Sequence, residues 1–403
     1  MDQTFLSRLP SLGVGRTDDQ SQAVTPLELF YDLVYIFAVG QLSHHLLTHL
    51  DWSGAAETGI LLVGVFGVWA FTSWAGSLLD TSRLPVRAFV IGTLFLGLIM
   101  NTSLGEAFGD RGWLFVGVYL ACQVSRSLFV IFAGVVEIMQ DHFFRMLGWT
   151  VITSPFWISG AIVEGPARLL LWGIAALVDV AAIVLSHPGI RRRTKTTNYE
   201  FAGEHFFERC KLFFLIALGE TVLTSAMVFT EEPLTPLSLF ALLVAITGTT
   251  AIWWSYFVRS EEEALDVLEE TNDEAKMGQR AIYTIAVMLA GLVLVAVGDD
   301  LSIAHPDGEP SIAASIVLFG GPALYVLAQA VFQKKTKGRA VSSRPVSLFA
   351  FVAGGVVSLW LPTLLAATLA TAIMVAVAAH DSVIEAREKS ARKEGRDAGG
   401  ESH

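Results

Sequence analysis

The chain has 403 residues, of which 53% are hydrophobic and only 16% charged, with a formal net charge of −11. A soluble domain carries about 25% charged residues and could not shield this much apolar surface, so the composition excludes an ordinary water-soluble globule. The acidic balance says little about partners, because the charges fall in separate loops.

The hydrophobicity is blocky. Stretches such as Gly59–Ala75, Phe89–Asn101, Leu169–Ser186, Ile282–Gly298 and Leu364–Ala379 are long and nearly free of charge. A span needs roughly 20 apolar residues, and in lipid its backbone groups must bond within the segment, so the spans are helices. No alternating ten-residue barrel pattern appears. The sequence therefore predicts an all-α polytopic transmembrane bundle of about twelve spans.

In chain order, residues 1–26 are polar, lack an apolar h-region and read as a disordered cytoplasmic tail, not a signal peptide. Span one covers 27–49. It opens on Glu28 and Asp32, carries Gln41 at its centre and ends on His44, His45 and His49. Spans two to six cover 56–79, 87–106, 113–135, 149–164 and 167–186. Arg126 lies inside span four, and Asp179 near the middle of span six. Residues 188–206 form a basic linker ending near His205. Span seven, 207–229, begins with Glu208 and Arg209 and holds Glu220 ninth in the apolar run Leu212–Phe229. Span eight, 236–258, is followed by an acidic cytoplasmic insertion, 259–278, in which the run Glu261–Glu274 reads as a helix with a solvated acidic face. Spans nine to twelve cover 279–298, 312–333, 345–361 and 363–381, and 382–403 is a charged cytoplasmic tail. Proline at Gly165-Pro166 and Leu361-Pro362 suits tight hairpins between spans.

Charge distribution orients the chain. The tails and even-numbered loops hold 22 of the 27 Lys and Arg residues, among them Arg83, Arg145, Arg191, Lys195, Lys334 and Arg392. The odd-numbered loops hold Arg111 and Arg168. By the positive-inside bias both termini and all even loops are cytoplasmic. The expected location is the inner or plasma membrane of a bacterial cell.

The two halves resemble each other. Leu33–Gln41 aligns with Leu212–Glu220 at an offset of 179, and the same offset carries Trp74 onto Trp253. Arg87-Ala88 matches Arg280-Ala281, Tyr119 and Gln123 match Tyr325 and Gln329, Pro166 matches Pro362, and His187 lies near the place of His380. These matches, all in one order, predict a 6+6 tandem repeat: 27–187 and 207–381. An even number of spans gives both halves one orientation, with a pseudo-two-fold axis along the membrane normal.

Two segments carry a family signal. Thr25-Pro26-Leu27-Glu28-Leu29-Phe30-Tyr31-Asp32-Leu33-Val34-Tyr35 resembles the opening motif of the bacterial low temperature requirement A (LtrA) family. His205-Phe206-Phe207-Glu208-Arg209, followed by Leu218-Gly219-Glu220, resembles its second motif, and Cys210-Lys211 departs from it. The resemblance spans nearly the whole chain. It implies a multi-pass membrane protein without supplying a substrate or mechanism.

Ionisable groups inside a span cost roughly 2.5–3.5 kcal/mol at the helix centre, so each needs a partner or a wet cavity. Glu28 and Asp32, four apart, share a helical face about 6 Å apart in height. They either cap the helix or open a pathway. Glu220, near the midplane, either hydrogen-bonds a neighbouring helix or forms an ion or proton site. Arg209, eleven residues earlier, lies about 16 Å along the same face. Arg126 has Asp179 or Asp32 as candidate partners for a buried ion pair. His45 with His49, and His205 with Glu208, have spacings a metal could use, but further ligands are not evident, so no metal is assigned. Cys122 and Cys210 read as inert buried thiols, and no cofactor is expected.

No GxxxxGK[ST], HExxH or GxSxG motif occurs, and no soluble domain could host ATPase chemistry, so an enzyme is not expected. The reading the residues favour is a secondary transporter or ion-coupled permease of unknown substrate. Its candidate pathway residues are Glu220, Gln41, Asp32, Glu28, Arg209, His205, Glu208, Arg126 and Asp179. The alternatives are a passive ion channel, or a non-transporting membrane scaffold or enzyme. Lipid and a small solute or ion are the expected partners.

Overall fold

A computed structural model describes residues 24–135, 137–189, 203–270, 274–337 and 343–400. The predicted basic linker around Arg191–Lys195 and nearly all of the amino-terminal tail lie outside these, as do the side chains of the acidic run Glu261–Glu274. The described residues are all-helical, with no strand. In chain order the α-helices are α1 (Pro26–Thr48), α2 (Trp52–Ser77), α3 (Leu84–Thr102), α4 (Gly112–Phe132), α5 (Glu137–Ile162), α6 (Pro166–Val184), α7 (Gly203–Glu231), α8 (Pro236–Glu270), α9 (Glu274–Ala304), α10 (Ile312–Lys337), α11 (Ser343–Val357) and α12 (Thr363–Gly400).

Nine of the helices among the described residues are long and apolar enough to cross a membrane. The three that fall outside that set are α1, which carries Glu28 and Asp32 in its first turns, the polar-headed α5, and α11, which is only 15 residues long. Helix starts follow local chemistry. Thr25 caps α1 in a reciprocal capping box with Glu28, with Pro26 at the first helical position. Asp51 accepts the Gly54 amide at 2.8 Å to start α2. Pro166 opens α6 behind Gly165, whose φ of +62° only glycine adopts without strain.

The chain forms two compact units: Met1–Ile216 with Asn272–Ala286, and Ala217–Thr271 with Val287–His403. The divisions thus fall inside α7 and α9. In the first unit α4 packs on α5, α5 on α6, and α2 on α6, around an aromatic core. Trp157 and Trp172 are fully buried, their rings 5.8 Å apart, with Phe115 against both. In the second unit α10 packs on α11, α11 on α12, and α8 on α12, and much of the core is alanine, including Ala245, Ala251, Ala367 and Ala370. Large apolar side chains such as Phe95, Trp113, Leu177, Leu223 and Phe349 face outward, as lipid contact requires.

Small residues let helices approach closely in the absence of a hydrophobic drive between spans. Gly291 and Gly321 bring the backbones of α9 and α10 together. A Cβ on Gly321 would lie 2.8 Å from the Gly291 carbonyl oxygen and 2.9 Å from the Val295 amide nitrogen. Neither backbone atom can swing aside. Gly321→Ala is therefore expected to cost about 1–3 kcal/mol by overpacking. Gly117→Ala, with nothing within 4 Å of the added carbon, is expected to cost nothing. Unfolding of the two purified variants in detergent checks this, and equal stability would mean that the glycine contact does not order the pair.

Candidate functional site

The first turns of α1 and α7 each present two ionisable side chains four residues apart: Glu28 and Asp32 on one, His205 and Arg209 on the other. The i, i+4 spacing puts each pair on one helical face. The structure brings the two faces together inside the first unit, where Glu28, Asp32, His205 and Arg209 are each no more than 3% exposed. They form two rungs, Glu28 with His205 and Asp32 with Arg209.

The two carboxylates are held differently. Asp32 Oδ1 accepts from Arg209 Nη2 at 2.9 Å, from Arg209 Nε at 3.2 Å and from Trp69 Nε1 at 2.7 Å, and Oδ2 accepts from Nε at 3.3 Å. A guanidinium bound through two nitrogens and an indole N–H both favour the anion, so Asp32 is a fixed negative charge matched by Arg209. Glu28 Oε2 accepts from the Thr25 amide and hydroxyl, both at 2.9 Å, and faces His205 Nε2 at 3.3 Å. Its Oε1 makes no hydrogen bond and lies 3.6 Å from Arg209 Nη1. A carboxylate only accepts, so in this contact His205 Nε2 is the protonated nitrogen, and its buried Nδ1 has no partner among the described residues.

The surroundings are buried and aromatic. Trp69 stacks on Phe213 at 3.7 Å, and the Arg209 guanidinium sits 5.3 Å from the Tyr31 ring. Gly76 of α2 leaves the space beside the charges: a Cβ there would lie 3.3 Å from Arg209 Nη1 and 3.7 Å from Glu28 Oε1. Low polarity strengthens every interaction in the cluster and makes an unmatched charge costly.

Charge counting shows what this arrangement can do. Asp32 and Arg209 cancel. The second rung is neutral when Glu28 and His205 together hold one proton beyond Glu28⁻ and the neutral imidazole. Losing that proton leaves a net negative charge in an apolar box. The rung can therefore hold one proton between its two side chains, and that proton sets the charge of the pair.

The other sequence candidates fall elsewhere. A direct pairing of Arg126 with Asp179 or with Asp32 is not what forms. Asp32 belongs to Arg209, and Asp179 accepts from Tyr119 Oη at 2.9 Å and Trp157 Nε1 at 3.0 Å. Arg126, 1% exposed, donates instead to Gln123 Oε1, and Gln123 Nε2 donates to Tyr119 Oη at 2.9 Å. Two neutral side chains on α4 thus bridge what the sequence reading paired directly. The physical reason is length: Arg126 and Tyr119 are seven residues apart, about 10 Å along the helix. The Arg126 guanidinium also lies 5.5 Å from the Phe71 ring.

Glu208 is half-exposed and pairs with Lys211 at 3.5 Å, away from the cluster. Glu220, a little past the middle of α7, and Gln41 are each partly exposed and make no hydrogen bond or ion pair among the described residues. His45 is buried and meets Glu57 at 3.0 Å, and the His49 ring lies 4.8 Å from it. His142 and His187 also lie edge to face, at 5.3 Å. Beyond the end of α6, burial, reinforced by Arg126 and Arg145, holds the His187 pKa down at about 3 from the ordinary 6.5, so this imidazole stays neutral at cellular pH.

Sequence reasoning missed Trp69 as a donor to Asp32 and Gly76 as the space beside the charges. Neither carries a signal that separates it from the other tryptophans and glycines of the spans.

A family model for the bacterial low temperature requirement A protein (LtrA) matches residues 23–379. A Rhizobium meliloti (strain 1021) protein named "Uncharacterized protein RA0937" is 35% identical over 328 residues, covering 80% of this chain and 79% of that protein. No solved structure matches. The match takes in both ends of the ion-pair cluster and almost every apolar helix, and the chain belongs to the bacterial low temperature requirement A protein family.

Proposed function

We propose that this protein is a secondary transporter of the bacterial inner membrane, coupled to protons through the Glu28–His205 rung. The twelve α-helices among the described residues cross the bilayer as a 6+6 tandem repeat, with both termini in the cytoplasm. The observation that carries the reading is the cluster itself: two carboxylates, one permanent cation and one histidine, all buried, at the entrance of two helices in matching places of the two halves. A purely structural clamp needs only the Asp32–Arg209 pair. The added Glu28–His205 pair burdens the fold with a proton-dependent charge, which is the kind of bistable element alternating access uses.

Packing and bonding support the repeat. The neighbours α2–α6, α4–α5 and α5–α6 recur six helices later as α8–α12, α10–α11 and α11–α12. In both halves the matched glutamine donates Nε2 to the matched tyrosine one turn before it, Gln123 to Tyr119 at 2.9 Å and Gln329 to Tyr325 at 2.6 Å. The positive-inside distribution supports the orientation.

The test is reconstitution of the purified chain into liposomes with an imposed pH gradient and a panel of small solutes and ions. Solute accumulation driven by the gradient supports the carrier. Gradient-independent conductance would indicate a channel, and no flux of any kind would leave a scaffold. Glu220, partly exposed in mid-helix, is assigned to the substrate or ion path in this reading. Glu220→Gln keeps the shape and recreates the Gln41 state of the other half. It is expected to insert and fold normally yet lose transport or its pH dependence. Unchanged flux at every pH in well-folded Glu220→Gln would instead assign Glu220 to packing.

A further inference from the structure

The second unit holds a small, partly open cavity whose lining combines one carboxylate with neutral oxygens. Its volume is about 30 Å³, and Asp299 of α9, Leu318 and Pro322 of α10, Gly248 of α8 and Thr371 of α12 surround it. A space of this size holds about one water-sized particle. Apolar residues such as Ile252, Val295 and Met374 complete the wall.

Each oxygen is incompletely used. Asp299 accepts one bond, from Ser225 Oγ at 3.3 Å, and no lysine or arginine pairs with it among the described residues. The like-charged Asp300 follows it directly in the chain. Pro322 sits inside α10 and has no N–H, which removes the helical donor for the Leu318 carbonyl four residues before it. Thr371 Oγ1 donates only a long bond, 3.5 Å, to the Val244 carbonyl, so its lone pairs remain open. Among the described residues, no side-chain amide or ammonium donor lines the space.

We infer that this cavity binds a small monovalent cation, sodium or its like, held by the Asp299 carboxylate, the Leu318 carbonyl and the Thr371 hydroxyl. One negative charge surrounded by neutral oxygens balances a single positive charge. A divalent ion would leave a net positive charge in this wall, which holds a single carboxylate. The inference deepens the transporter reading by supplying a second coupling ion, and it rests on that reading for its role in flux.

Binding itself can be measured apart from transport. Thermal unfolding of the purified full chain in detergent is followed while NaCl replaces choline chloride at constant ionic strength. The wild-type melting temperature is expected to rise and saturate with sodium. Asp299→Asn is expected to lose that rise, and Thr371→Val, which keeps the charge and the volume, to shift the half-saturating concentration roughly tenfold upward. Should Asp299→Asn not fold, the Thr371→Val shift decides alone. A wild-type melting temperature that ignores sodium, or responds to pH only, overturns the site. So does an unchanged sodium response in Thr371→Val. Sodium-specific stabilisation in a chain that shows no flux in liposomes would keep the site and remove the transporter.

Discussion

Arg209→Met is expected to destabilise the protein by about 3–5 kcal/mol, the cost of leaving a buried ion pair without its cation. The guanidinium is the only permanent positive charge in the cluster, and it neutralises Asp32 through two nitrogens while lying 3.6 Å from Glu28. Methionine fills much the same volume and donates nothing. Asp32 would then keep only the Trp69 indole, beside a second carboxylate, in a box of Tyr31, Trp69 and Phe213. Adding Asp32→Asn removes the orphaned charge and keeps an acceptor for Trp69, so the double variant is expected to recover most of the loss. Non-additivity of this kind identifies residues sharing one network. Unfolding in detergent of the two single variants and the double variant checks it. A cost below about 1 kcal/mol for Arg209→Met would place the cluster in contact with water, where such pairs are weak.

Much of this was legible in the chain. Each α-helix among the described residues overlies one predicted apolar block, and nine of them are long and apolar enough to cross a membrane, as backbone satisfaction in lipid favours helices. Helix ends were less legible: α5 begins at Glu137, twelve residues before its predicted start, since its first turns are too polar to register as a span. Glu28, Asp32, His205 and Arg209 all drew attention as ionisable groups near helix starts. Their mutual pairing did not, because nothing in one helix records which face of another it meets, and 177 residues separate each pair. Arg126 shows the same limit in reverse. Charge alone favours Asp179, while the geometry of α4 inserts Gln123 and Tyr119 between them. Asp299 passed unnoticed because it sits beside Asp300 near the end of α9, where carboxylates look solvated; the cavity beside it depends on Pro322 and Thr371 from other helices.

His205→Gln is expected to have the largest effect on activity. Glutamine can still donate one hydrogen bond to Glu28 Oε2, so the rung keeps a contact, but it cannot carry a proton charge. Glu28 then has only two states: an anion with no second cation, or a neutral acid. The two-residue pair becomes a single carboxyl, which cannot pass a proton to a neighbouring side chain. His187 cannot take over, since its imidazole remains neutral until about pH 3. Gradient-driven flux at neutral pH is expected to fall by roughly two orders of magnitude, the scale on which loss of a positioned proton-transfer group acts. Melting temperature is expected to change little only because Glu28, left without His205, can take up a proton and stay uncharged, while the Asp32–Arg209 rung is untouched.

The most direct measurement is therefore the pH profile of gradient-driven flux in liposomes, recorded between pH 5 and 8 (on the order of the histidine range) for wild-type and His205→Gln protein of equal melting temperature. The account predicts a wild-type flux that varies through that range as one proton is gained or lost, and a flat, low profile for His205→Gln. The same pH-dependent profile in both proteins would contradict it, and would reduce the Glu28–His205 rung to a clamp between α1 and α7.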